Sequence, residues 1–313
     1  METENAVLDR KTLPPQEETD VSKIVPINRQ SFSDKLRAYM KKPFSFVVMI
    51  LVMIAAAITV GAVLWVLIYT LARGIPSLKP ELFAWEYTRK NLSMLPAIIN
   101  TLFIAALALV ISVPIGVFAA IFMVEYAKST NLFVKIVRMA AETLAGIPSI
   151  VYGIFGMIFF VEVCGWGTSM LSGALTMTLM ILPVIMRTTE ESLKAVPDTF
   201  REGSYALGAG KLRTIFVIIL PSAMSGIISG IILGLGRVVG ETAALIYTAG
   251  TSAYAAGGLF SEGRTLAIHM YILSINGLYE EEAWATAVVL IALVLVINGL
   301  AEFVGNKLKK EYN

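Results

Sequence analysis

The sequence has very few of the residues that carry covalent chemistry or bind metal ions. Its 313 residues include one cysteine, Cys164, and one histidine, His269. A single cysteine excludes an intramolecular disulfide and a cysteine-based metal cluster, and a single histidine excludes a histidine-rich metal site. The sequence also lacks a G-x-x-x-x-G-K-[ST] segment, the phosphate-binding loop of many ATPases. We therefore expect no catalytic site, no metal and no cofactor bound by this chain.

Charged residues are scarce as well. They make up 15% of the chain, whereas hydrophobic residues make up 57%. A soluble domain carries about a quarter of charged residues. The charges are clustered and leave long apolar runs between them, which is typical of a polytopic membrane protein.

Six of the apolar runs are long enough to cross a bilayer with some tilt. We expect an all-α fold with spans at about residues 44–72, 93–124, 143–161, 169–186, 214–236 and 283–301. A polar, disordered tail is predicted at residues 1–42, with a short interfacial helix at 33–40. Residues 242–261 are only weakly apolar, so we expect irregular or re-entrant structure there, and an amphipathic surface helix at 265–278.

The charge distribution predicts the orientation in the membrane. Six spans place both termini on one side. With both termini in the cytoplasm, 19 of the 25 Lys and Arg residues face the cytoplasm and 6 face the outside. That asymmetry agrees with the positive-inside rule. The polar tail is too long for the first part of a cleavable signal, so none is expected.

A charged segment from Arg187 to Arg213 lies between the fourth and fifth spans, on the cytoplasmic side. Pro197 and Asp198 predict the start of a short helix within it, and Gly208 predicts its end in the left-handed conformation. So short a helix is marginal alone in water. It must therefore pack against a soluble partner or against the membrane part of the same chain, and the residues leave both alternatives open.

The predicted short helix has one face suited to docking. Phe200, Ser204 and Leu207 share a face at helical spacing. Gly203 and Ser204 are small enough for close approach of another surface. Glu202 is expected to be exposed to solvent.

The same residues carry a resemblance. Glu202, Gly203 and Ser204, followed at fixed spacing by Gly208, Ile218 and Leu220-Pro221, match the spacing of the EAA motif of ABC importer permeases, with glycine and serine in place of the two alanines. In that family the loop is a coupling helix that sits in a cleft of a cytoplasmic ATPase. The resemblance therefore implies that ATP and magnesium bind to a partner subunit.

A narrower resemblance is to the phosphate-specific permeases, particularly their A-type subunit. It rests on AGIPSIVYGIFG (145–156), RTTEESLKAVP (187–197), REGSYALGAGK (201–211) and GRVVGETAALIYTAG (236–250). The family more often has GETAPL where this chain has GETAAL, which puts the structure beyond Glu241 in question.

The resemblance covers about residues 94–305 and implies a type I importer permease fold of the MetI-like kind. We divide the chain into the tail (1–42), a first helix with its outer loop (43–92), a permease core (93–305) with a coupling helix at 198–208, and a C-terminal tail (306–313). The implied partners are a homologous C-type permease in a heterodimer, two ATPase subunits, an extracytoplasmic phosphate-binding protein and the lipid of the cytoplasmic (inner) membrane. No nucleic acid is implied.

An anion path needs fixed donors, and Arg237 is the first candidate. Its guanidinium stays charged and matches phosphate oxygens. We expect it at the outer end of the fifth span, with Glu241 one turn further. Either the two residues form a structural ion pair, or Glu241 accepts a hydrogen bond from protonated phosphate and repels sulfate.

Two further path candidates lie elsewhere in the chain. Arg187, at the end of the fourth span, either satisfies the helix end, pairs with Glu190 or Glu191, or contacts the ion on the exit side. Ser149 follows Gly146-Ile147-Pro148, which predicts a break in the third span. A broken helix either presents N–H groups and a hydroxyl to an anion or only shapes the packing.

Small residues recur at every fourth position of the fifth span, at Ser222, Gly226, Gly230 and Gly234. This stripe predicts a tight helix interface, with the wall of a narrow pathway as the alternative. Pro221 predicts a bend at the base of the same helix because it removes a backbone donor.

Other functions remain open from the residues alone. An ABC permease for another oxyanion or solute has the same features. An ion-coupled secondary transporter needs ionisable residues in mid-membrane, and few are present. A membrane enzyme needs a catalytic cluster, and the sequence offers none.

Overall fold

The computed structural model describes residues 43–127, 131–275 and 277–311. Within these ranges the regular structure is helical. The predicted tail, residues 1–42 with its interfacial helix, lies outside the described residues. The chain divides into two compact units, Met1–Trp65 and Val66–Asn313. In the first unit, residues Phe44–Trp65 form a continuous apolar helix.

We number the α-helices in chain order. They are α1 (Pro43–Gly74), α2 (Leu95–Ile121), α3 (Leu132–Ala145), α4 (Ser149–Gly156), α5 (Met170–Lys194), α6 (Asp198–Ala206), α7 (Lys211–Thr214), α8 (Leu220–Gly240), α9 (Ala243–Thr248), α10 (Leu266–Ile275) and α11 (Glu280–Glu311). A short 3₁₀-helix covers Pro80–Phe83. Wider π-turns extend α2 through Phe122–Tyr126, extend α4 through Met157–Val163, and join α7 to α8 through Ile215–Ile219.

Five of the described helices are long and apolar enough to span a membrane, and a bent pair makes a sixth candidate. The five are Phe44–Gly74, Leu95–Tyr126, Met170–Lys194, Lys211–Gly240 and Glu280–Phe303. The pair is Leu132–Ala145 with Ser149–Val163, bent by 105°. The all-α, multi-span architecture predicted from the sequence is thereby confirmed.

The bend falls at Gly146-Ile147-Pro148, where the sequence predicts a break. The phenolic O–H of Tyr152 donates to the backbone oxygen of Leu144 at 2.8 Å, across the bend. The helix before it, α3, was not predicted. Its charges Lys135, Arg138 and Glu142 interrupt the apolar run, yet α3 is strongly amphipathic and leaves apolar side chains such as Phe133 exposed.

Two other predicted helix boundaries and one predicted helix type differ from the structure. Helix α5 does not end at Arg187 but continues to Lys194, and α11 continues to Glu311 through most of the predicted C-terminal tail. Helix α10 is not an amphipathic surface helix. Its residues Leu266 and Leu273 are buried with Leu82 and Leu92 of the outer loop, which the sequence pattern of α10 alone does not reveal.

The core of the second unit forms where α2, α5 and α8 meet. Met177, Met180, Ile181 and Ile185 of α5 are fully buried there. Burial of each such side chain contributes about 1.5–3 kcal/mol to folding in water, and in a bilayer the same contacts act through close packing.

Close contact between α8 and α5 depends on the glycine stripe. A Cβ added to Gly230 would overlap Thr188, and one added to Gly226 would overlap Ser192. A Cβ on Gly234 would lie 3.6 Å from Ile181. The stripe therefore faces another helix of the same chain.

A buried side-chain amide helps to hold the irregular segment after α9. Asn100 of α2 donates through its Nδ2 to the backbone oxygens of Tyr254 and Arg264, at 3.0 and 3.2 Å. Its Oδ1 accepts from the N–H of Ala256 at 2.9 Å. Buried backbone groups outside regular structure need such partners.

We expect Gly230→Ala to lower the thermal unfolding midpoint of the purified protein because the new methyl group forces α8 away from Thr188. Overpacking of this kind costs about 1–3 kcal/mol. Gly236→Ala, on the same helix, is the matched control because a Cβ there meets nothing within 4 Å. Equal midpoints for the two variants would contradict the contact.

The single histidine provides a second prediction for the fold. His269 is fully buried on α10, at 0% exposure, beside the ring of Tyr87. Burial, with a smaller contribution from the positive charge of Arg264, lowers the pKa of His269 from 6.5 to about 3. The folded state therefore favours neutral imidazole, and protonation on acidification favours the unfolded state.

The contribution of neutral His269 to stability should therefore be fully present above about pH 6.5. It should decrease as the pH falls from there toward 3, where the folded-state pKa lies. His269→Leu should show a shallower decrease of the unfolding midpoint over this range. Parallel pH profiles for the two proteins would contradict the assignment.

Candidate functional site

Arg237 lies in the last turn of α8, at the end of the span where the sequence predicted it. Helices α5 and α8 run antiparallel, with Gly226 opposite Ser192 and Gly230 opposite Thr188. Continuing this register places Arg237 about level with Ile181, near the middle of the 25-residue helix α5. Helix α5 therefore extends past the end of α8, and its first residue, Met170, donates its N–H to the backbone oxygen of Ser261.

A cleft of about 610 Å³ opens beside Arg237. Residues of α5, α8 and α11 form its walls. These residues are Val184, Ser229, Ile232, Leu233, Gly236, Arg237 and Asn298. Arg237 is partly buried, and among the described residues it has neither a hydrogen-bond nor an ion-pair partner. A charge within a membrane-spanning helix is costly, so an arginine without such a partner there indicates a functional site.

Glu241 does not pair with Arg237. Helix α8 ends at Gly240, and Glu241 is extended, with φ −74° and ψ 132°. Because Glu241 leaves the helix, the i, i+4 geometry is lost. Its carboxylate instead accepts the N–H of Ala244 at 3.1 Å and so satisfies a backbone donor at the start of α9.

Asn298 is a residue of this cleft that the sequence analysis missed. It lies in the apolar run of α11, and its Oδ1 is buried without a hydrogen-bond partner. An amide in a run that otherwise suits lipid was the available indication. What placed it in the site is the packing of α11 against α8.

Arg187 and Ser149 lie elsewhere. Arg187 donates through its Nε to Glu191 at 2.9 Å, and both side chains are more than half exposed. A second cleft of about 140 Å³ adjoins this pair between α3 and α5. Ser149 is the first residue of α4. Neither residue lines the cleft of Arg237.

The second cleft contains a buried carboxylate. Glu190 lies 2.6 Å from the Nε of Arg138 and 2.6 Å from the Nζ of Lys194. This arrangement joins α3 to the C-terminal part of α5. Three carboxylates in the wall of the cleft are balanced by three cations, so the cleft has no net positive charge to attract an anion; they are Glu142, Glu190 and Glu191, and Arg138, Arg187 and Lys194.

The predicted short helix forms as α6, and Gly208 follows with φ +81° in the left-handed region. A side chain is strained at such an angle, which is the reason for glycine there. Asp198 does not cap the helix with its carboxylate. It accepts instead from Arg201 at 3.1 Å.

Arg201 anchors α6 to the membrane part of the chain. Its Nη2 donates to Glu125 at 2.7 Å and to the backbone oxygen of Leu193 at 3.0 Å, and its Nη1 donates to that of Val196 at 2.9 Å. The side chains of Arg201 and Glu125 are only 15% and 5% exposed. The pair thus links α6 to the C-terminal ends of α2 and α5. The sequence offered no indication of this pairing.

The exposed side of α6 differs from the predicted face. Phe200 and Leu207 are 49% and 90% exposed, and Glu202 and Gly203 are also open to solvent. Ser204 is only 5% exposed, and its Oγ lies 2.8 Å from the Oγ1 of Thr214. Ser204 therefore packs on its own chain and cannot contact a partner directly, because the base of the next helix covers it.

The predicted bend at Pro221 takes a different form. The π-turn Ile215–Ile219 lies directly before Pro221, while Lys211–Gly240 continues as one candidate span. Proline lacks the N–H that would bond within an α-helix, and a wider turn accommodates that loss.

Comparisons with known proteins identify the family of the chain. Residues 112–310 match the family model described as "Binding-protein-dependent transport system inner membrane component". The probable ABC transporter permease protein YqgI of Bacillus subtilis is 36% identical over 228 residues, which cover 68% of this chain and 77% of the relative. The phosphate transport system permease protein PstA of Mycobacterium leprae is 34% identical over 246 residues, or 75% and 79% of the two chains.

A solved structure supports the fold alone. The crystal structure of a bacterial ABC transporter for import of the acidic polysaccharide alginate matches with a TM-score of 0.56 at 14% identity, over 82% of this chain and 96% of that chain. The importer permease fold implied by the sequence resemblance is confirmed.

The anchor at Arg201 leads to a prediction about stability. Arg201→Gln leaves the Glu125 carboxylate buried without its cation, and breaking a buried pair from one side costs about 3–5 kcal/mol. We expect a clear fall in the thermal unfolding midpoint. Arg187→Gln breaks an exposed pair, worth about 0–1 kcal/mol, and is the matched control. Similar unfolding midpoints for the two variants would contradict the anchoring role of Arg201.

Proposed function

Because the chain belongs to the family of binding-protein-dependent transport system inner membrane components, we propose that it is the A-type permease subunit of an ATP-driven phosphate importer. It translocates inorganic phosphate across the cytoplasmic membrane. The observation that carries the proposal is Arg237, an arginine of a membrane-spanning helix that lines a cleft and has no partner among the described residues.

The cleft suits a small, tightly hydrated anion. Arg237 offers up to two parallel N–H donors to phosphate oxygens. The apolar walls of Val184, Ile232 and Leu233 lower the local dielectric and so strengthen this interaction. The arginine has no competing carboxylate among the described residues, because Glu241 is engaged at the start of α9.

ATP hydrolysis takes place on partner subunits that engage the exposed side of α6. Phe200, Glu202, Gly203 and Leu207 form the docking surface, and Gly208 and Pro221 shape the connection to α8. Two cytoplasmic ATPases act on a heterodimer of this chain with a homologous C-type permease. An extracytoplasmic phosphate-binding protein delivers the ion. This chain itself catalyses no covalent step.

Movement at α6 reaches the cleft through two connections. One is the Arg201–Glu125 pair to α2 and α5. The other is the π-turn and Pro221 to α8, which carries Arg237. The permease core of residues 93–305 thus contains both the docking surface and the path. Both termini are cytoplasmic, on the side of α6, in agreement with the charge distribution. Arg187 and Ser149 act in the framework of the path rather than at the Arg237 cleft.

The decisive experiment measures ATP hydrolysis by the assembled transporter in nanodiscs, with phosphate-loaded binding protein. We expect phosphate-loaded binding protein to stimulate ATP hydrolysis. Arg237→Gln should lower this stimulation at least tenfold. Stimulation by another oxyanion in place of phosphate would make this a permease for that solute. Ion-gradient-driven uptake without ATP would place it among secondary transporters.

Coupling through α6 is tested by a charge reversal. Glu202→Arg should abolish stimulation while the complex still co-purifies. Glu162→Arg makes the same change at an exposed residue of the π-turn that extends α4, before α5 and at the other end of the span, and should leave stimulation unchanged. Loss of activity in both variants, or in neither, would argue against transmission through α6.

A further inference from the structure

The cleft beside Arg237 contains a second group able to recognise an anion, the side-chain amide of Asn298. Gly305 of α11 packs directly against Ile228 of α8. The antiparallel register of the two helices then brings Asn298 about level with Leu235, within a turn of Arg237. Both side chains line the same cleft.

The oxygen of this amide is unsatisfied. Asn298 Oδ1 is buried, and no donor within the described part of the chain reaches it. Leaving a buried acceptor without a hydrogen bond costs about 1–3 kcal/mol. Such a cost inside an apolar helix calls for an explanation. Because Oδ1 itself is buried, a bound donor supplies one when the amide turns about χ2 and brings this oxygen to the cleft.

We infer that Asn298 is a specificity-determining residue, whose Oδ1 accepts the hydroxyl proton of hydrogen phosphate held by Arg237. This inference rests on the proposed function of the cleft. Phosphate keeps at least one hydroxyl hydrogen near neutral pH, whereas sulfate has none. A buried acceptor thus gains a hydrogen bond from phosphate and faces only acceptor oxygens on sulfate.

The neutral amide suits this role better than a carboxylate. A carboxylate in the cleft would neutralise Arg237 and repel the dianion, whereas an amide oxygen accepts a proton without adding charge. The sequence suggested Glu241 as the discriminating acceptor. In the structure Glu241 accepts from the Ala244 N–H, whereas the amide oxygen of Asn298, a residue of the cleft wall, has no donor among the described residues.

One neighbouring hydroxyl is an alternative acceptor. Ser229 also lines the cleft, and its Oγ donates to the backbone oxygen of Ser225 at 2.9 Å. Its hydrogen is engaged within α8, but its oxygen keeps lone pairs that accept a hydrogen bond. Ser229→Ala therefore tests this second acceptor, and loss of discrimination in that variant would assign the role to Ser229.

The test is binding of radiolabelled inorganic phosphate to the complete transporter in nanodiscs, without the extracytoplasmic receptor, competed by arsenate or sulfate. Omitting the receptor removes its own selectivity. Arsenate keeps a hydroxyl hydrogen as phosphate does, so wild type should bind phosphate and arsenate at least tenfold more tightly than sulfate. Wild type that binds no phosphate would overturn the proposed function, and with it this inference.

Asn298→Leu should weaken phosphate and arsenate binding about tenfold and leave sulfate unchanged, so that discrimination is lost. Ser229→Ala should keep it. Undiminished discrimination in Asn298→Leu, while wild type binds phosphate, would overturn the inference and leave the proposed function intact. Loss of discrimination in Glu241→Gln with retention in Asn298→Leu would assign the role to Glu241 instead.

A second variant separates recognition from misfolding. Asn298→Asp has the same shape, and its carboxylate prefers the more protonated phosphate. Phosphate binding by this variant should therefore shift toward lower pH relative to wild type, while its unfolding midpoint stays close to that of wild type. An unchanged pH profile would overturn the inference.

Discussion

The close contact between α5 and α8 is the constraint on which the rest of the structure depends. Gly226 and Gly230 allow the two backbones to approach closely. Ser192 and Thr188 occupy the space that a side chain at each of these glycines would need. In a bilayer, where apolar burial gives helices no preference for one another over lipid, such close packing supplies the attraction. The resulting register sets the depth of Arg237. A shift of one turn would move its guanidinium by about 5 Å along the membrane normal.

The same register connects the two functional ends of the chain. Beyond Arg187, α5 continues and leads to α6, where the Arg201–Glu125 pair joins three elements within a buried contact. Further along, α8 presents Arg237 to the cleft. In the proposed function, this link and the close helix contact transmit a displacement of α6 to the wall of the cleft, without a hinge at Pro221 alone.

Much of the architecture follows from sequence pattern, for physical reasons that particular residues illustrate. Apolar runs located the spans, because a helix in lipid needs a continuous apolar surface. Gly208 ended α6 because only glycine adopts its angle without strain. Helix α3 was missed because its charges interrupt the hydropathy while remaining on one face. Helix α10 was misjudged because the outer loop that covers it is distant in sequence.

By itself, the sequence determined the membrane class, the helical fold and the short helix between two spans, and it singled out the residues proposed for an anion path, because these depend on local composition and spacing. Only the tertiary structure decided that Arg237 has no partner within the described part of the chain, that Glu241 leaves its helix, that Ser204 faces inward and that Asn298 joins the cleft. Each of these depends on how one helix is positioned against another. Packing between elements distant in sequence sets that position, and no local pattern encodes it.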